Sequence, residues 1–118
     1  MNIYGKERNK KIDDAYLLLG KSRYYTERFI PAVDAYNYII ANYPNANLLN
    51  ETKIWRAKAH IRLENQELAI ETLEILLRKP DLSDLIKEEA ATTLAMAYSK
   101  ADTIELVRKY LWQATETS

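Results

Sequence analysis

Small residues recur in pairs twelve positions apart: Gly20 with Ala32, Ala57 with Ala69, and Ala95 with Val107. That spacing leaves room for the end of one helix, a tight turn and the start of the next. A small side chain at each end lets the two backbones come close where the helices cross. Four positions beyond each pair stands a large apolar residue, Tyr36, Leu73 or Leu111, and Pro44 and Pro80 close the first two units. The pattern predicts three antiparallel helical hairpins. Offsets of 37 and 38 residues between Gly20, Ala57 and Ala95 make them copies of one unit. Their bounds read as about 12–46, 50–81 and 83–117, a single domain over 12–118 behind a flexible segment at 1–11.

Apolar periodicity supports six helices. Ile12, Ala15, Tyr16 and Leu19 form one stripe, and Ala32, Val33, Tyr36, Ile39 and Ile40 form the next. Pro31 suits the first turn of the second helix, and Pro44 ends it by pushing the preceding residue out of the α region. A third helix reads from Asn50, as N-cap, to Leu63, and a fourth starts behind Asn65 and stops at Pro80. Ser83 with Asp84 opens the fifth, and Asp102 with Glu105 has the spacing of a capping box that opens the sixth. Only two glycines occur, so turns needing positive φ should be scarce, and the 37- and 38-residue offsets imply lengthened inter-repeat turns at 45–49 and 83–87.

The first hairpin, with Tyr16, Leu19, Gly20, Tyr24, Ala32, Tyr36 and Pro44, resembles the tetratricopeptide repeat, a helical hairpin of about 34 residues. The second keeps Ala57, Ala69, Leu73 and Pro80 but has Arg56 and His60 at positions usually apolar; the third keeps Leu94, Ala95, Tyr98, Val107, Leu111 and Ala114. The resemblance implies an all-α, right-handed superhelix of three hairpins. Helices of such arrays bury their faces only against neighbours, and an apolar Tyr110-Leu111-Trp112 end without a capping helix fits a fragment of a longer array or a homodimer contact. The simpler reading packs Trp112 back onto the fifth helix.

A narrower resemblance lies in IDDAYLLLGKSRYYTERFIPAVDAYNYIIANYP, residues 12–44, and ETKIWRAKAHIRLENQELAIETLEILL, residues 51–77. These runs are similar to the repeat region of the SprE/PorW family, tetratricopeptide lipoproteins of the type IX secretion and gliding-motility apparatus. The Gly-Lys-Ser-Arg-Tyr-Tyr and Arg-Phe-Ile-Pro-Ala stretches carry it, since the generic repeat does not demand them. The resemblance implies type IX secretion components as partners and a parent protein on the periplasmic face of the outer membrane. This sequence shows no signal peptide and no lipid-bearing Cys.

Composition narrows the function. Seventeen basic residues balance seventeen acidic ones, which leaves no excess of positive charge for a nucleic acid, and no apolar run approaches the roughly 20 residues of a membrane span. Cysteine is absent, His60 is the sole histidine, and no glycine-rich phosphate loop can be built from Gly5 and Gly20. His60 near Glu64 and Glu67 lacks a second His or a Cys to complete a metal set. The sequence therefore reads as a non-catalytic protein-interaction scaffold without a cofactor, metal or nucleic-acid partner. In a tetratricopeptide hairpin the first helix lines the concave groove. This places Lys21, Tyr24, Tyr25, Trp55, Lys58, Arg62, Met96 and Lys100 on a candidate protein-binding face, with Asp14, Leu17, Glu51, Ile54, Glu89, Thr92 and Thr93 beside them. The carboxylate clamp of chaperone-binding members is missing, because its places hold Leu17, Lys21, Trp55, Glu89 and Thr93. A generic peptide-binding adaptor is the second reading of the same groove.

Overall fold

The computed structural model describes the backbone at residues 3–45 and 47–117 and the side chains at 12–45 and 47–115. Its elements are helices α1 (Ile3–Tyr25), α2 (Phe29–Asn42), α3 (Leu49–Arg62), α4 (Gln66–Leu77) and α5 (Asp84–Thr117). Each helix packs on the next in chain order, and α3 also touches α5 and, lightly, α1. The result is a row of neighbours in an elongated body of 71 × 31 × 19 Å. Residues 3–11, expected as a flexible segment, continue α1 as helical backbone, while residues 1–2 lie outside the described residues.

The first two hairpins close where the small-residue pairs put them. Gly20 faces the Tyr36 ring, and Ala32, Ala57 and Ala69 are fully buried. Leu17, Ala32, Tyr36 and Ile39 join Ala59 in one core between α1, α2 and α3. Ile54, Ala57, Ile61, Ala69, Leu73 and Leu76 meet Leu82, Ala90 and Ala97 in a second core between α3, α4 and α5. Burying a side chain such as Ile39 or Leu73 is worth about 1.5–3 kcal/mol, so the stripes rather than helix propensity hold these hairpins shut.

Both closed turns correct the expectation drawn from scarce glycine. Each reverses the chain over three residues on a left-handed glutamate, Glu27 at φ 62° and Glu64 at φ 64°. Backbone bonds from Arg28 N to the Arg23 carbonyl (2.8 Å) and from Asn65 N to the His60 carbonyl (2.8 Å) tie the turns down. The left-handed region is unfavourable by roughly 1–2 kcal/mol for a residue with a Cβ. The core formed by closing the hairpin outweighs that.

The inter-repeat connections are six residues long, 43–48 and 78–83. Pro44 and Pro80 follow the helix ends as expected, and Pro31 sits in the first turn of α2. Ser83 caps α5 by accepting from the Ile86 amide at 3.2 Å. Asn50 does not cap α3, which starts one residue earlier; its Oδ1 accepts from Lys79 Nζ at 3.0 Å instead. Asn65 occupies the N-cap of α4 without a side-chain bond.

The largest difference concerns the third hairpin. The expected fifth and sixth helices are one continuous helix, α5, so the described residues form five helices rather than six. Asp102 and Glu105 lie inside it and cap nothing. The stretch Ser99-Lys100-Ala101-Asp102-Thr103 holds no glycine or proline to stop a helix, and Thr103 Oγ1 donates back to the Ser99 carbonyl at 2.9 Å. Trp112 does not pack back on the earlier part of the helix; it is 68% exposed.

Candidate protein-binding face

The first and third helices deliver an aromatic cluster to one side of the row. Tyr24 and Tyr25, in the last turn of α1, meet the Trp55 ring of α3 edge-on with centroids 5.5 and 5.7 Å away. Tyr24 also meets Phe29, the first residue of α2, at 5.4 Å. Aromatic pairs in this tilted arrangement are favoured by the ring quadrupoles. Tyr24 and Trp55 are half-buried, whereas Tyr25 is 71% exposed and offers a flat, open surface.

Cations sit on these rings. Lys58 Nζ lies 4.3 Å from the Trp55 centroid and Lys21 Nζ 5.2 Å from it, while the Arg62 guanidinium stands 4.8 Å from the Phe29 centroid. Each such contact is worth about 0.5–1 kcal/mol where water has access. Lys21 is neutralised by Glu51 at 2.9 Å, and Arg62 reaches Glu27 only at 3.8 Å. Lys58 has no carboxylate within ion-pair distance among the described residues. The local balance is therefore positive on a chain whose formal net charge is zero.

Met96 and Lys100 do not join the aromatic cluster. They line an open groove between the end of α3 and the middle of α5, about 640 Å³ in volume, together with Ile61, Arg62, Ala95 and Ser99. Arg62 belongs to both places and connects them. All eight residues of the sequence reading thus form two adjoining patches, an aromatic-cationic one and a shallow one. Leu17, Ile54 and Thr93, read beside them, are buried in helix packing; Thr93 Oγ1 is committed to the Glu89 carbonyl at 2.7 Å. The sequence reading missed Phe29. The available signal was an aromatic opening the second helix just after an aromatic pair closing the first, which brings the rings together once the hairpin shuts.

His60 is half-buried on α3, and its Nδ1 has no hydrogen-bond partner among the described residues. Burial, helped by the Arg56 charge, holds its pKa below the usual histidine value. Among the described residues no group of three His, Cys, Asp or Glu is placed to hold a metal ion, and no helix is long and apolar enough to cross a membrane. No protein-family model matches the chain, and a search of curated proteins finds no matching relative.

Proposed function

We propose that this chain is a protein-interaction module of the tetratricopeptide type, which takes a partner on the face formed by Trp55, Tyr24, Tyr25, Lys58 and Arg62. The observation that carries the reading is the exposed Tyr25 ring beside a Trp55 ring ringed by cations, with Lys58 free of any described carboxylate. Tyr, Trp and Arg in a half-buried cluster are the residue types that dominate binding energy at protein interfaces. The surplus of positive charge selects an acidic segment as occupant. No chemistry is proposed for the face.

The proposed setting is the type IX secretion and gliding-motility apparatus, with the parent protein on the periplasmic side of the outer membrane. This part rests on the runs at 12–44 and 51–77 alone. Crosslinked capture from envelope and soluble fractions tests both levels, with the Lys58→Glu, Arg62→Glu double variant as control. Wild type should enrich outer-membrane secretion components that the variant loses. Enrichment only of soluble proteins, lost in the same variant, would replace the secretion setting by a generic adaptor, and equal capture by both chains would remove the face itself.

A further inference from the structure

The two closed hairpins share a register that the third carries without using. From the small residue of the first helix, the left-handed turn residue lies seven positions on, Gly20 to Glu27 and Ala57 to Glu64, and the small residue of the return helix lies twelve on. Counted from Ala95, the turn falls on Asp102 and the return on Val107. Aspartate tolerates the left-handed region better than the glutamates that occupy it in the other two turns. The next position, the N-cap position of the return helix held by Arg28 and Asn65, is Thr103, a good N-cap residue.

Yet α5 runs straight through this point, and two surfaces are left without the partner that the register assigns them. Ala95 is exposed, whereas its counterpart Ala57 is fully buried. Val107 and Leu111 are 51% and 63% exposed, whereas Ala69 and Leu73 are fully buried. A straight helix carries 104–117 away from the Ala95 face of the same chain. The apolar stripe of that segment, with Val107 and Leu111 more than half exposed, needs a cover.

We propose that two copies of this chain exchange their C-terminal segments, residues 104–117 of each closing the third hairpin of the other. The exchange gives every Val107 and Leu111 the contacts that Ala69 and Leu73 have in the second hairpin, keeps the helical bonds across 98–103, and pairs one surface with itself about a two-fold axis. It rests on the fold and the repeat register and is independent of the binding face proposed above.

The chain has no cysteine, so engineered thiols report the pairing cleanly. An Ala95→Cys, Val107→Cys double variant is oxidised and run without reductant, beside light scattering of the unmodified chain at about 100 μM. The exchange predicts a disulfide-linked species of twice the 13.8 kDa chain mass and a dimer by scattering. A monomer with an intrachain disulfide would show that 104–117 folds back on its own chain and overturn the proposal, as would a dimer without the crosslink or a monomer without it. The hinge gives a second reading. Asp102→Gly, which frees the turn, should weaken the dimer at least tenfold relative to Asp102→Ala, with helicity checked by circular dichroism; equal dimerisation by the two variants would overturn the hinge assignment.

Discussion

Gly20 lies flat against the ring of Tyr36: a Cβ built on the glycine would stand 2.2 Å from Cε1 and 2.7 Å from Cδ1. Tyr36 is fully buried among Leu17, Ala32 and Ile39 and has no room to retreat. The close crossing of α1 and α2 depends on this one missing side chain. Gly20→Ala gains up to about 1 kcal/mol of helix propensity but overpacks the crossing by about 1–3 kcal/mol. A net loss of about 1 kcal/mol is expected from urea unfolding. An unchanged or raised midpoint would mean that the crossing has slack.

Tyr36→Phe should behave in the opposite way. The Tyr36 hydroxyl is buried without a hydrogen-bond partner among the described residues, and burial, aided by Tyr24 and Tyr25, pushes its pKa above the ordinary phenol value. Removing a buried unsatisfied hydroxyl while keeping the ring should leave stability equal or raise it by about 1 kcal/mol. A loss of more than about 1 kcal/mol would show that the hydroxyl is satisfied in solution.

These two residues also show what was legible in the sequence. Gly20 and Tyr36 belong to the spacing pattern, so the crossing, the hairpin and the partner helix could be read from type and position alone. The turns were harder. Nothing in Glu27 or Glu64 signals a left-handed backbone, because tertiary closure imposes that conformation on a residue that does not favour it. The third hairpin shows the limit from the other side: Ala95, Asp102 and Val107 keep the register, but the register cannot decide between a bend at Asp102 and a helix that continues through it. At the proposed binding face, Tyr24, Tyr25 and Trp55 were readable as first-helix positions, whereas Phe29 enters only because the first hairpin closes.

Glu64→Gly tests the left-handed turn. Glycine adopts positive φ freely, and the substitution should stabilise the chain by about 1 kcal/mol. Glu64 is preferable to Glu27 for this purpose, since Glu27 also faces Arg62. A loss of stability would mean that the Glu64 side chain contributes more than its backbone strain.

Acidification should weaken the fold through His60. Its folded pKa is depressed by burial and by Arg56, so between that value and the unfolded value near 6.5 the unfolded chain binds more protons. Stability then falls as pH drops below about 6.5, and the loss is complete once the folded pKa is passed. Comparing urea midpoints from pH 7.5 to 5 in the chain and in His60→Gln isolates the effect, because carboxylate titration is common to both. A wild-type profile as flat as that of the variant would remove the histidine from the account.

Placing a photoactivatable benzoyl-phenylalanine at Tyr25, and separately at Ile75 on α4, tests the binding face most directly. Both side chains are exposed, and neither supports a described core. Irradiation of envelope fractions should yield a discrete crosslinked partner from position 25 that disappears when Lys58→Glu and Arg62→Glu are added, with none from position 75. A partner trapped from position 75 alone would contradict the account and move the interaction to the α4 side of the row.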